Sequence, residues 1–388
     1  MRVTAATWPG VLRGAQTWER IRRAASTEAV FMTPEWLETW WRHLGPGYGL
    51  RLLTVEDEHG PRAIAPLHRA QVGATPFFAL RPLGLGVTDY ADLLLPPDPP
   101  TRERCAEALL SSLVGAHTTW DALDLQNLPS ESPTIAALLG ACRRLGLRSR
   151  LLDGHARPRI DLRSGWEAVL GSKTGKFRYN LRSRLRRLGE HGRVSFRRAV
   201  TREDVSAAID VLAGLHARRW EGQYTATVFS RSASAREFYR EACERYARRG
   251  MLDLVLLEVG GRPVAGSLGF IDRHTYFYYL PAWDPDLAPL APSSILLAHL
   301  IETACERRLT RFDFMLGDEP YKAQWATEEC RTARLVIGNV GARGAAALES
   351  IVAWHGARQW ARSSPTVASA RRYGVGRLRA VLSKLRPG

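Results

Sequence analysis

Between residues 252 and 325 the rhythm of apolar and polar positions changes in a fixed order. LDLVLLEV (252–259), RPVAGSLGFID (262–272) and HTYFYYLPAWDPD (274–286) are short apolar or aromatic runs separated by Gly260-Gly261 and by Asp272-Arg273-His274. Runs of this length with turn residues between them predict three consecutive antiparallel strands. Pro292-Ser293-Ser294 then opens a helix, with Ser293 or Ser294 as its cap and Ile295, Leu296, Ala298, His299, Glu302 and Cys305 in a mixed 3.6-residue rhythm. RFDFML (311–316) alternates Phe312, Phe314 and Leu316 against Asp313 and Met315, which predicts a strand. A strand, a helix and a parallel return strand leave the helix N-terminus aimed at a crevice, where its N–H groups suit an anionic ligand.

The same succession is written earlier in the chain. After a helical lead-in over 1–30, FMTPEWLETWWRHLG (31–45) starts a helix with Thr33 as cap and Pro34 at its first position. Its Trp36, Trp40 and Trp41 suit a core face; stacking on bases or sugars is the alternative. LRLLTVEDEHGPRAIAPLHRA (50–70) reads as a hairpin and PLGLGVTDYADLLLP (82–96) ends in a third strand. A helix (101–116), a strand opening WDALDLQNLPSESP (120–133) and a second helix (134–146) follow. Residues 50–70 match 252–272 in pattern, and 120–133 match 310–323. Two copies of one hairpin–strand–helix–strand unit predict two similar α/β domains side by side, each with a mixed α+β sheet. The boundaries expected are 1–160, 161–340 and a basic amphipathic tail, 341–388.

Between the copies, KFRYNLRSRLRRLG (176–189) is a helix dense in arginine that ends at Gly189 or Gly192 and runs into a strand. Phe177, Leu181, Leu185 and Leu188 form its apolar stripe, so the arginines lie on the other faces, either solvated or on the phosphates of a substrate, a tRNA or a lipid. Residues 204–220 and 234–250 read as two further amphipathic helices. The tail interleaves basic residues with Trp354, Trp360, Tyr373, Val375, Leu378, Leu382 and Leu385. It suits either an interfacial helix on an anionic membrane or a helix docked on the body or a partner.

Charge and composition narrow the classes. The chain has 388 residues and a net charge of +16, an excess almost wholly of arginine. Such a field attracts polyanions without choosing among nucleic acid, acidic lipid and phosphate-bearing cofactors. The hydrophobic fraction of 45% is that of a globular protein able to bury cores. No apolar run is long enough for a membrane span, and the N-terminus has no apolar signal region. Five widely spaced cysteines without a CxxC read as reduced thiols, so a cytoplasmic location is expected. There is no P-loop or nucleophile elbow, Gly84-Leu85-Gly86 lacks the rest of a dinucleotide fingerprint, and the histidines show no ligand spacing, so no metal is expected.

Taken together, FMTPEWLETWW (31–41), SKTGKFRYNLRSRLRRLGEHGRVSF (172–196), LHARRW (215–220), RPVAGSLGF (262–270) and SSILLAHLIETACERRLTRFDFMLGDEPYKAQW (293–325) resemble the GNAT superfamily of acyltransferases. Within it they resemble the duplicated branch, which holds the Fem-type peptidyltransferases and acyltransferases associated with polysaccharide biosynthesis, cellulose included. The resemblance implies two GNAT-like domains and transfer of an acyl group to an amine or hydroxyl of a sugar, a lipid-linked or a peptide-like acceptor. It implies acyl-coenzyme A held by Leu280 and Ala282 of the splayed strand and by Ser293, Ser294 and Ile295 of the helix start. The sequence departs from the family in lacking the Gly-rich pyrophosphate loop. Fem-type members use aminoacyl-tRNA instead, which the arginine helix, through Arg178 and Arg182, would suit. Tyr321 stands where the family keeps an acid for the leaving thiolate. Asp318, Asp313 and His216 are the candidate bases, Lys322 is a candidate for binding an anionic substrate, and Asp89-Tyr90 are expected to line the acceptor cleft. A non-catalytic scaffold in polysaccharide synthesis is the third alternative and predicts a plugged cleft.

Overall fold

The computed structural model describes residues 1–25, 30–115, 119–219 and 232–363. The first half runs β1 (Arg2–Ala5), α1 (Trp8–Arg13), α2 (Ala15–Ala24), α3 (Pro34–Leu44), β2 (Gly49–Asp57), β3 (Gly60–Gln71), β4 (Phe78–Pro82), α4 (Pro99–Leu113), β5 (Ala122–Pro129), α5 (Pro133–Arg144) and β6 (Ser149–Asp161). The second begins with α6 (Gly165–Gly171), α7 (Gly175–Gly189), β7 (Val194–Arg198), α8 (Arg202–Arg219), α9 (Ala233–Arg248), β8 (Leu252–Val259), β9 (Arg262–Asp272) and β10 (Thr275–Trp283). It closes with a 3-10 turn (Pro285–Leu290), α10 (Pro292–Glu306), β11 (Arg311–Asp313), α11 (Pro320–Trp325), β12 (Glu328–Gly338) and α12 (Gly341–Ser363).

All twelve strands form one sheet, ordered β1-β2-β3-β4-β5-β12-β6-β11-β10-β9-β8-β7. The last strand of each half is exchanged. β12 pairs antiparallel with β5 of the first half, and β6 pairs antiparallel with β11 of the second. The two exchanged strands pair with each other from Glu328↔Arg159 to Ile337↔Ser149. Each half therefore completes its sheet with backbone from the other.

Local chemistry explains most element starts. Thr33 caps α3 by accepting from Trp36 N at 3.2 Å, with Pro34 next, as the sequence indicates. Thr174 caps α7 in the same way through Phe177 N at 3.2 Å. Trp36 is fully buried, with Phe31 and Phe238 each 4.9 Å away between ring centres and Tyr246 and Phe270 each at 5.6 Å. Trp36 thus packs against the second half, and Trp40 against Tyr48 and His68 of the first, instead of presenting a stacking surface. Burial of rings this size contributes on the order of 4–6 kcal/mol each in transfer free energy.

Three local expectations are corrected. The third strand of the first half is Phe78–Pro82; Leu94 makes only a single bridge to Ile64, because Gly84 (φ 86°) and Gly86 (φ 95°) turn the chain and Leu93, Leu94 and Leu95 serve as core filler. Neither Ser293 nor Ser294 caps α10: the cap position is Ala291 in the left-handed region (φ 48°), and no side chain closes that helix start. β11 stops at Asp313, because Met315 (φ 61°) turns the chain towards β6. The arginine helix ends at Gly189, as expected. Of the tail, 341–363 form α12, and the basic stretch 364–388 with Tyr373, Val375, Leu378, Leu382 and Leu385 lies outside the described residues. No helix among the described residues is long and apolar enough to cross a membrane.

Candidate active site

The parallel pairing of β10 with β11 lasts three residues, Thr275↔Arg311 to Phe277↔Asp313. Beyond it the strands part. β10 carries a bulge between Tyr278 and Leu280 and stays with β9 as far as Trp283↔Ala265. The chain after β11 leans on β6 instead, with Phe314 N donating to Pro158 O and Gly317 N to Ala156 O, both at 3.0 Å. The wedge between them opens into a cleft of about 980 Å³. Tyr278–Pro281 and Trp283 form one wall, Ser293, Ser294 and Leu297 of α10 the back, and Leu316, Glu319, Tyr321, Lys322, Gln324 and Trp325 the opposite wall. Ser172–Thr174 and the α7 residues Lys176, Phe177, Asn180, Leu181 and Arg184 form the roof, and His216 and Arg219 of α8 one end.

Its electrostatics favour anions. The uncapped N-terminus of α10 faces the cleft with its partial positive charge, and Lys173, Lys176, Arg184, Arg219 and Lys322 line it. Only four lysines occur in this arginine-rich chain, and three of them are here. Lys322 is buried, with Nζ donating to Leu316 O at 2.6 Å and pairing with Glu319 at 2.9 Å. Lys173 Nζ donates to Trp325 O at 2.7 Å, and burial lowers its pKa. Arg219 stacks over the Trp283 ring at 3.4 Å.

The corresponding place in the first half is chemically the reverse. There β4 and β5 also share a short parallel pairing, Ala79↔Ala122 and Leu80↔Leu123. The helix after β4, however, is capped by the carboxylate of Asp98, which accepts from Thr101 N at 3.0 Å, and Pro99 and Pro100 remove two N–H groups. A negative cap on α4 stands where α10 has none.

The loop after β4 reaches across to the second half. The Tyr279 hydroxyl donates to Val87 O, Asp89 Oδ2 accepts from Leu316 N at 3.2 Å, and the Tyr90 hydroxyl donates to Asp313 Oδ1 at 2.5 Å. Leu316 and Tyr279 line the cleft, so Asp89 borders its wall. Burial pushes the Asp89 carboxyl up to about 6, with Asp313 and Glu319 adding to the rise and the Leu316 N–H and Lys322 opposing it. Burial likewise raises the Tyr321 hydroxyl above its ordinary value, so it stays protonated at neutral pH. His216 is pushed down to about 4 by burial and by the Arg219 charge, and is neutral there.

Of the residues singled out from sequence, Tyr321, His216, Leu280, Ser293, Ser294 and Lys322 come together in this cleft. Ala282 and Ile295 are buried in the cores behind it. Asp313 does not face the cleft: it is fully buried, fixed by Tyr90, by Arg159 Nε at 3.0 Å and by Met315 N at 2.8 Å. Asp318 is exposed and outside the lining, and Tyr90 is buried beneath it. Arg178 donates to the carbonyls of Gly171 and Lys173, and Arg182 is exposed on another face of α7. The polar residues of that helix inside the cleft are Lys176, Asn180 and Arg184, which sequence reasoning missed; their i, i+4, i+8 spacing was the available signal. Arg219 and Trp283 carried no such signal.

Residues 175–323 match the acetyltransferase (GNAT) domain family. Among solved structures the chain is similar to FemX, with a TM-score of 0.62 at 14% identity over 86% of this chain and 97% of that one. It is similar to the C-terminal domain of a putative lysylphosphatidylglycerol synthetase from Agrobacterium fabrum (TM-score 0.53, 15% identity, 89% and 97% covered). It is also similar to L-PGS from Bacillus licheniformis (TM-score 0.50, 14% identity, 82% and 90% covered). At these identities the likeness is one of fold. No curated protein matches the chain.

Proposed function

We propose N-acyl transfer from an anion-bearing acyl donor held in the β10/β11 cleft to an amine of a sugar, lipid-linked or peptide-like acceptor, a reading supported by the acetyltransferase (GNAT) domain match over residues 175–323 and by the similarity of fold to FemX. One observation carries the reading: the open start of α10 and five cationic side chains meet at a splayed, bulged strand in the second half, while the first half closes the same place with Asp98.

The chemistry assigns roles to residues around the wedge. The acyl carbonyl lies against the bulge, where strand amides near Leu280 stabilise the oxyanion. The acceptor nitrogen attacks the carbonyl carbon and forms the amide bond as the bond to the donor's sulfur or oxygen breaks. Asp89, with a carboxyl raised to about 6, accepts the amine's proton. Tyr321, protonated at neutral pH, gives its proton to the leaving thiolate or alkoxide and takes one back from solvent. His216 is neutral and serves as a packed wall.

Acyl-coenzyme A is the donor that this cleft fits first. A donor carried on tRNA is the second reading, and a specific feature favours it. The start of α10 supplies few amides for a pyrophosphate: Pro292 has none, and Ser294 N already donates to Ala291 O at 2.9 Å. The open cleft weighs against a scaffold with a plugged site.

Thermal-shift titrations with acetyl-coenzyme A and with bulk tRNA separate these readings. A ligand at about 100 times its Kd adds about 2.7 kcal/mol of stability. Stabilisation by acetyl-coenzyme A that Ser294→Trp abolishes supports the first. Stabilisation by tRNA alone supports the second, and silence from both returns the scaffold.

A further inference from the structure

We propose that residues 87–90, in the loop after β4, are a brace by which the first half holds both lips of the second half's cleft in place, with Tyr90 as the positioning residue for Asp89. The catalytic consequence rests on the acyl-transfer reading above; the contacts do not. One lip is β10, whose Tyr279 hydroxyl donates to Val87 O. The other is the chain leaving β11. Of its amides, Phe314 N and Gly317 N bind β6, and the two between them bind carboxylates. Met315 N donates to Asp313 Oδ1 at 2.8 Å and Leu316 N to Asp89 Oδ2 at 3.2 Å. The Tyr90 hydroxyl donates to that same Asp313 oxygen at 2.5 Å, a charge-assisted bond of the stronger kind. Leu316 O then accepts from Lys322 Nζ at 2.6 Å, so the hold extends to α11, which carries Tyr321.

The brace is anchored in its own half. Thr88 Oγ1 accepts from Trp36 Nε1 at 2.9 Å, and Ala91 N donates to Asn127 O at 3.3 Å. Asp92 Oδ2 accepts from the Ser132 hydroxyl, whose oxygen caps α5. Gly84 starts the loop at φ 86°, and a Cβ there would collide with Thr88 Oγ1. Tyr90 itself is buried, with the Arg157 guanidinium 4.6 Å from its ring centre. The pairing of β10 with β11 ends at Phe277↔Asp313, so that ladder does not set the width of the wedge beyond this point. The loop 87–90 touches both of its sides. A displacement of about 1 Å at a reacting group costs on the order of 10²-fold in rate, so a brace of this kind bears on turnover as well as on stability.

Amide hydrogen exchange, read beside turnover, tests this. Tyr90→Phe removes one hydroxyl and should speed exchange several-fold over 313–319; Tyr279→Phe should do so over 279–283. Neither should change exchange in β2 and β3. Leu109→Ala, which truncates a buried side chain in the core of the first half, should lower the thermal unfolding midpoint and leave both lips as they are. With acetyl-coenzyme A or aminoacyl-tRNA as donor, Tyr90→Phe should lower kcat about 10–100-fold. It should also move the acidic limb below 6, because Asp89, which faces Leu316 N–H, Lys322, Asp313 and Glu319, gains water. Leu109→Ala should keep the parent's kcat and limb. Unchanged exchange at both lips would overturn the brace. Faster exchange with the parent's kcat and limb would overturn the positioning role. Faster exchange at the lips of a protein that uses neither donor would remove the acyl-transfer reading and leave the brace standing.

Discussion

Asp313 on β11 and Arg159 on β6 join the two halves of the chain at the exchanged strand, with Arg159 Nε donating to Asp313 Oδ2 at 3.0 Å while Arg157 Nε lies 3.4 Å from the same oxygen. The other exchanged strand repeats the arrangement. Asp124 on β5 accepts from Arg334 on β12 at 2.7 and 2.9 Å and from Arg81 at 3.0 Å. Burial alone would raise the Asp124 carboxyl, but Arg334 and Arg81 outweigh it and hold it below the ordinary range. Each half thus supplies the arginine that neutralises a fully buried aspartate of the other. Removing one partner leaves buried charge uncompensated, so Asp313→Asn should cost about 3–5 kcal/mol in urea unfolding. Turnover per folded molecule should stay within a few-fold of the parent. A loss of turnover without a loss of stability would restore Asp313 as a catalytic base.

Because β12 lies between β5 and β6, cutting the chain between β6 and α6 should leave neither part able to complete its sheet. Residues 1–162 and 163–388 expressed separately should lack cooperative unfolding by circular dichroism and regain it when co-expressed. Independent, cooperative folding of 1–162 would contradict the reading of the exchange.

Much of this architecture was legible in the chain, and the exchange was not, for a physical reason. The hairpins 50–70 and 252–272 and the capped helices announce themselves because each is local: alternation, turn residues and caps lie within a few positions. The exchanged strands do not. β6 carries Arg150, Asp153, Arg157 and Arg159, and β12 carries Glu328, Glu329, Arg331 and Arg334, so neither shows clean alternation. The charges of Arg157, Arg159 and Arg334 are tolerated in the interior because Asp313 and Asp124, far off in sequence, neutralise them. The site was legible to the same extent. Tyr321, Lys322, Leu280 and the helix start lie in contiguous motifs, whereas the roles of Asp89 and Arg219 depend on contacts across hundreds of residues or on a single stacking partner. Asp313 misled because a strand aspartate between two phenylalanines looks the same whether a cleft or a buried arginine faces it.

Asp89 is expected to set the acidic limb of the activity profile. Its carboxyl is raised to about 6, and as a base it must be ionised, so kcat should rise with pH through about 6 and level off above it. Asp89→Asn should lower kcat by roughly 10²–10⁴-fold and remove that limb, with KM for the donor little changed. A variant that retains both rate and limb would place the proton acceptor elsewhere.

His68, on β3, governs stability in acid by a separate route. It is buried beneath Trp40 and Tyr48, with ring centres 5.2 and 4.8 Å away, and burial together with the Arg81 charge pushes its pKa down to about 4 from 6.5. The unfolded chain takes up a proton on this ring below about 6.5, and the folded chain only below about 4. Between those values the unfolded state binds more protons, so the stabilisation is fully present above 6.5 and falls away as the pH drops towards 4, on the order of 3 kcal/mol in all. His216, lowered to a similar value, should add to the slope in the same direction. Urea midpoints measured across this window should therefore decline with acid, and His68→Leu should shallow the decline by up to one proton's worth, about 1.4 kcal/mol per pH unit. An unchanged slope in that variant, or an imidazole signal titrating near 6.5 in the folded protein, would show that the ring is protonated in place and that Trp40 and Tyr48 do not keep it dry.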